Sequence, residues 1–471
     1  MVGPDYHRPS APITATFKEL PGWRLATPQD AAPKGAWWEA FGDPLLNRLE
    51  HQIDSGNQTL REQAAAYDNA QALVDEARAN LFPVLSANAG VTRSSSGSGS
   101  FTGGTSLAGG GGSAARTQYT VEGSASWDLD VWGKIRRQVE SNVAGAQASA
   151  ALLANARLSA QASLAEDYLD LRVTDALQRV LNDTVRNDTE SLRITQNQYN
   201  AGVAARSDVL TAQTQLESAR ASAINVGVAR AQYEHAIAVL VGVPPAALAI
   251  APVSTVPPVP DTPGMVPATL LERRPDIADA ERTMKSENAL IGVAVAAYYP
   301  DITLSALFGY VGNPLGGLIS SANRVWSLGA AASDAIFEGG GRSAAVRAAR
   351  ATYDESVATY RQTVLTAFQQ VEDALSGLRL LAQQEVVERQ TVVDATRAAQ
   401  IALNEYRAGT QAYTAVITAQ NTLLAAQQTL LSIQQSRLTD AVLLVQALGG
   451  GWRATDLPDR NWLQRRNPLL P

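Results

Sequence analysis

The chain of 471 residues has no cysteine and only three histidines, His7, His51 and His235, which lie far apart. Disulfides and thiolate metal centres are thereby excluded, and a histidine site would need long-range convergence. Aromatic residues make up 6% of the chain, too few for a bulky core. Lysine and arginine (38) are outnumbered by aspartate and glutamate (45), for a formal net charge of −7. No basic cluster offsets that balance, so no nucleic-acid partner is expected. No apolar run is long enough for a spanning helix, since the best stretch, 239–260, is broken by Pro244, Pro245, Pro252, Pro257 and Pro258. Any passage through a bilayer must use strands. No signal peptide is read at Met1-Val-Gly-Pro-Asp-Tyr6, which suits a cytosolic protein or a mature chain without its targeting segment. No clustered nucleophile, base or metal-ligand set occurs, so neither enzymatic activity nor a cofactor is expected.

What the chain does contain is a duplication. Tyr199-Asn-Ala-Gly202 followed by Asp208-Val-Leu-Thr-Ala-Gln213 recurs as Tyr406-Arg-Ala-Gly409 followed by Ala415-Val-Ile-Thr-Ala-Gln420, at one offset (409 − 202 = 207). Leu81-Phe82-Pro83 extends the match to Tyr298-Tyr299-Pro300. Repeats of this length are far longer than solenoid modules. Alanine- and glutamine-rich stretches suit long, closely packed helices.

Each half reads as helix, two strands, a very long helix, a turn and a long helix. Residues 1–42 are rich in proline and tryptophan and read as an extended segment. The first repeat, 43–242, has helical patterning from Asp43 to Phe82, strands at about 84–94 and 117–130, and helices at about 134–198 and 208–241. A proline-rich linker at 243–267 precedes the second repeat, 268–449. There the strands fall at about 301–311 and 324–337, and the helices at about 341–406 and 413–448. A tail covers 450–471. A proline-free helix from 134 to 198 would be roughly 100 Å long. In the second strand Tyr119, Val121, Gly123, Ala125 and Trp127 share one face, and Thr120, Glu122, Ser124, Ser126 and Asp128 the other. Gly339-Gly-Gly341 is followed by no Lys-Ser/Thr, so it reads as a strand-to-helix kink instead of a phosphate loop.

Four strands suit either a small sheet on a soluble helical rod or part of a membrane barrel. Aromatic ends, bilayer-matching length and the Ser/Gly-rich connector at 94–115 favour the barrel. Open edges are not tolerated in hydrocarbon, so several chains must close it.

The chain resembles the outer-membrane factors of tripartite efflux pumps, the TolC-like superfamily and its NodT-type lipoprotein branch. The motifs run end to end: Val2-Gly-Pro-Asp-Tyr6, Trp37-Trp38 with Phe41-Gly-Asp-Pro44, Leu81-Phe82-Pro83, Leu129-Asp-Val-Trp-Gly-Lys134, Arg273-Arg-Pro-Asp-Ile277 and Ile336-Phe-Glu-Gly-Gly340. The resemblance implies a mainly α, internally duplicated chain. Each copy would give four strands to a trimeric 12-strand β-barrel in the outer membrane and long helices to a periplasmic 12-helix α-barrel. It implies an acylated cysteine just before the Val-Gly-Pro-Asp-Tyr motif, which is absent here. Its partners would be two further copies, a periplasmic adaptor, an inner-membrane RND transporter and outer-membrane lipid. Trp37, Trp38 and Phe41 would anchor an equatorial belt.

By similarity the periplasmic gate lies at the turns around Gly202 and Gly409. Ser207 and Asp208 would face Tyr406 and Gln411 through hydrogen bonds, although either of the first two also suits an N-cap. Where relatives carry arginine this chain has Gln411, and where they often carry Leu or Asp rings it has Thr414, Ala415 and Thr418. Glu122, Asp128 and Asp130 are expected to line an acidic lumen. The expected function is a passive exit duct of an RND-type efflux system, exporting small molecules such as drugs. The alternatives are the channel of a type I protein secretion system and a soluble coiled-coil structural protein.

Overall fold

The computed structural model describes residues 1–11, 17–19, 36–94, 115–260, 274–452 and 457–458. Residues 95–114 of the expected external loop, Arg273, half of the N-terminal segment and most of the C-terminal tail lie outside the described residues. The Asp43 carboxylate caps α1 (Pro44–Gly56), accepting from the Leu45 amide at 2.8 Å. Asn57 caps α2 (Gln58–Ala79), accepting from the Leu60 amide at 3.0 Å. The sequence reads one helical stretch from 43 to 82, but extended backbone at Asn57 divides it.

β1 (Val84–Ser94), β2 (Arg116–Asp128), α3 (Lys134–Asn200) and α4 (Arg206–Leu240) complete the first half. The second half holds α5 (Pro275–Ala296), β3 (Asp301–Gly312), β4 (Arg324–Ser333), α6 (Gly341–Arg407) and α7 (Tyr413–Ala447). β4 ends at Ser333, short of the expected 337. Asp334 accepts from Arg342 at 2.6 Å, which draws the chain back towards α6. Gly133 and Gly340, at equivalent places in the two repeats, start α3 and α6 with φ of 89° and 88°, a backbone that favours glycine.

The four strands form one antiparallel sheet in the order β1-β2-β3-β4, so the repeats join through β2 and β3. The register aligns Leu85, Ala125, Ala306 and Leu328 in one row, and Gly123, Phe308 and Trp326 in the next row on the same face. Ser86, Ser124, Leu307 and Ser327 form a row of the opposite face. One face is therefore apolar and the other mainly polar. No helix among the described residues is long and apolar enough to cross a membrane.

The helices form four columns. α2, nearer the sheet, and α4, farther from it, flank one side of α3; α5 and α7 fill the space between α3 and α6 in the same way. Each stacked pair is joined head to tail by one side chain. Asn57 donates to the Leu240 carbonyl at 2.8 Å, and Arg274 donates to the Ala447 carbonyl at 3.0 Å. The donors sit at corresponding places in the two repeats, as do the acceptors, and each satisfies a carbonyl orphaned at a helix end. Arg274 is also fixed by Asp276 at 2.6 and 3.0 Å.

The largest apolar core lies where α1 meets α3. Trp38, Phe41, Leu46, Leu49 and Ile53 pack there on Leu164, Tyr168 and Leu171. Residues near the N-terminus run along the outside of the helices, with Arg137 holding Asp5 at 2.9 Å and Tyr6 donating to Glu281 at 2.9 Å.

Candidate gate and channel lining

The helix layer ends in two equivalent turns. Gly202 and Gly409 take φ of 79° and 74° just past α3 and α6, and the Val203 and Thr410 amides reach back to the Gln198 and Glu405 carbonyls at 3.0 Å. Beside these turns Tyr406, Tyr413, Val416 and Ala212 form a small buried cluster, the two tyrosine rings 5.1 Å apart. The Tyr406 hydroxyl donates to Thr195 Oγ1 at 3.3 Å. Its expected partner Asp208 acts on it only at longer range: burial raises the Tyr406 hydroxyl above its ordinary range, and the Asp208 charge adds to that.

Ser207 and Asp208 do not cap α4. The N-cap is Ala205, which makes no side-chain bond, because the helix begins at Arg206, ahead of both residues. Ser207 donates to the adjacent Asp208 at 3.5 Å. Gln411, Thr414 and Thr418 are exposed, and Thr418 donates to the Thr414 carbonyl at 2.9 Å. The hairpins are tied by Gln198 to the Tyr406 carbonyl at 3.2 Å, Gln420 to Ser191 at 3.2 Å and Gln215 to Asn421 at 2.7 Å.

Glu122 and Asp128 lie on the polar face of the sheet, where Asp128 accepts from Thr303 at 2.8 Å. Asp130 does not join them. Its carboxylate accepts from the Ile135 and Arg136 amides at 3.0 Å each and pairs with the Arg136 side chain at 2.9 Å. That position, past the end of β2, makes Asp130 an anchor for the start of α3 and not a lining residue.

The family model described as Outer membrane efflux protein matches residues 49–243 and 266–450. The chain belongs to that family. "Probable efflux pump outer membrane protein TtgC" of Pseudomonas putida is 31% identical over 452 residues, covering 95% of this chain and 92% of the relative. "Pyoverdine export outer membrane protein OpmQ" of Pseudomonas aeruginosa is 30% identical over 469 residues, covering 97% and 95%. The solved outer-membrane channel OprN superposes with a TM-score of 0.84 at 30% identity, covering 96% of this chain and 99% of that one. The Campylobacter jejuni CmeC outer membrane channel, at 21% identity and a TM-score of 0.86, shares the fold. The duplicated mixture of helical and β-barrel parts is thus that of TolC-like channels, and the chain is an outer-membrane efflux channel.

Sequence reasoning missed two residues of this efflux protein's tip, Asp188 and Thr195. Asp188 on α3 is 2% exposed, and its Oδ2 accepts no hydrogen bond. Burial pushes its carboxyl up to about 6. It lies near Tyr413, whose hydroxyl is raised by burial and then by the charge of Asp188. The equivalent position in the second repeat is Ala395, so the duplication gave no signal for it. Thr195 was missed because its partner Tyr406 is far away in sequence.

Proposed function

We propose that three copies of the chain close into one duct, which passively carries small organic molecules such as drugs from a periplasmic adaptor and an inner-membrane RND transporter to the exterior. The observation that carries this reading is that both layers have open edges on the same two sides. Among the described residues β1 and β4 each lack an outer neighbour. In the helical layer α4 packs on α3, and α6 packs on α5 and α7. The edge helices expose Ile224 and Val228 on α4 and Val386, Val387 and Ile401 on α6. Unpaired strand edges cannot stand in hydrocarbon, and apolar helix flanks in water favour association. Further copies satisfy both at once.

In this reading Ser207, Asp208, Tyr406, Gln411, Thr414 and Thr418 form the periplasmic gate at the Gly202 and Gly409 turns, and the Tyr406 contact to Thr195 helps hold it shut. Glu122 and Asp128 line the barrel. The repeats, 43–242 and 268–449, are the duplicated halves, with 1–42, 243–267 and 450–471 contributing to an equatorial belt. The duct performs no catalysis, and a lipid anchor near Val2 supplements the barrel in the outer membrane of a Gram-negative bacterium. Mass measurement in detergent tests the reading: a heat-resistant species of three 49.8 kDa chains is expected, and a folded, membrane-inserted monomer would overturn it.

A further inference from the structure

The six charged residues of the four strands are sorted by sign and face. Glu122, Asp128, Asp301 and Arg116 lie on the polar face. Two lie on the apolar face, and both are arginines. Arg93 pairs with Thr117, two positions along from the Val91–Tyr119 pair, and Arg324 shares a row with Tyr310 and Val121. Both side chains are exposed, and neither has an ion pair among the described residues. Both also sit at the same end of the sheet, away from the helices. Arg93 is the penultimate residue of β1, and Arg324 is the first of β4.

That end is the outer rim of the barrel, because the other strand ends feed the helical layer. β1 from Leu85 to Arg93 spans roughly 27 Å, which at the usual tilt is roughly 20 Å of height against an apolar band of about 25 Å. Next to the arginines stand Tyr119, Tyr310 and Trp326, the aromatic belt that marks the edge of the hydrocarbon. The backbones of both arginines therefore lie near that edge, and their long side chains carry the guanidinium groups out to the level of lipid headgroups. β1 and β4 are the two edge strands of the chain, so closing the barrel brings Arg324 of one copy beside Arg93 of the next.

The geometry points to three lipid-phosphate sites, one on each seam between copies, where Arg93 and Arg324 bind a phosphorylated lipid headgroup of the outer leaflet. Guanidinium donors match phosphate oxygens in a fork geometry, and no carboxylate on this face competes with the phosphate. The site rests on the trimeric reading above, since a single chain holds its halves on opposite edges.

The test uses purified trimers in nanodiscs supplied with lipid A carrying two phosphates, or with its dephosphorylated form, and native mass spectrometry of retained lipid. An arginine near an anionic lipid surface contributes about a fivefold gain in binding, so Arg93→Gln and Arg324→Gln should each weaken retention about fivefold, and the double variant about twenty-five-fold. Arg116→Gln, at the same rim on the polar face, should change nothing, and the dephosphorylated lipid should not discriminate among the variants. Equal retention by parent and double variant, equal loss in Arg116→Gln, or the same preference for dephosphorylated lipid would overturn the site. The masses measured alongside separate the two readings: intact trimers without selective lipid refute the site alone, whereas monomeric parent protein refutes the trimer and the site together.

Discussion

Replacing Asp188 with asparagine should tighten the tip of the helical layer at neutral pH. The parent carboxyl is 2% exposed, and burial moves it from 3.8 to about 6. Burial disfavours the ionised form, so the packing around Asp188 is most stable below the ordinary value and loses stability as pH rises through about 6. The shift corresponds to about 3 kcal/mol by pH 7.5. No cation offsets it among the described residues: burial alone raises the Asp188 carboxyl, its charge acts on Tyr413, and Arg193 and Arg407 pair with Glu190. Asparagine has the same size and no charge, so it should recover much of that energy. Thermal unfolding and bilayer conductance, each at pH 5 and pH 7.5, measure the effect. Other buried carboxyls, such as Glu166, raised to about 7, give the parent its own pH response, so the quantity of interest is the difference between variant and parent. The variant should be more stable and less leaky than the parent at pH 7.5, with the gap reduced to about half at pH 5. A variant less stable than the parent at pH 7.5, or a gap independent of pH, would refute the account.

Tyr406→Phe removes one long hydrogen bond to Thr195 and should loosen the tip by about 0.5–1 kcal/mol, read as raised conductance and vancomycin leakage with trimer stability unchanged. Arginine at Ala125, which faces lipid and lies deeper than the row of Val121 and Arg324, should cost about 2–4 kcal/mol, whereas arginine at Ser124 should be tolerated; detergent unfolding distinguishes them, and equal damage would put the faces out of register. Glu122 and Asp128 should make the pore cation-selective, with Glu122→Gln lowering that selectivity; reversal potentials showing anion preference in the parent would contradict the acidic lining. Arg274→Ala removes a buried, charge-assisted bond to the Ala447 carbonyl and should cost about 1.5–3 kcal/mol, measurable as a lower Tm, and a neutral effect would show that the junction carries no stability.

The duplication, the helix–strand order and the two-faced strands were legible because they are periodic or repeated. Tyr199 and Tyr406, Gly202 and Gly409, and the alternation from Tyr119 to Asp128 needed no knowledge of packing. Partnerships between distant segments were less accessible. Asn57 looks like any polar residue on a helix until its side chain is seen bridging to Leu240. Asp130 reads as one more acid in an alternating strand, and only the turn into α3 assigns its oxygens to the Ile135 and Arg136 amides. Burial of Asp188 depends on which side of α3 faces α7, and that angle is not encoded in the local pattern. Ser207 and Asp208 are good capping residues in principle, but the helix starts before them.

The pairing of β2 with β3 imposes an order on synthesis. These strands join residues such as Tyr119 and Gly312, roughly two hundred positions apart, a separation that makes pairing slow. When the first hairpin emerges, its natural neighbour does not yet exist, and the α3 and α4 segments must be made before it does. The hairpin therefore remains an incomplete and exposed unit until the second repeat arrives. Chaperones that delay its collapse would raise the yield of assembled channel, and truncation after the first repeat should leave aggregated chain instead of a half-sized pore.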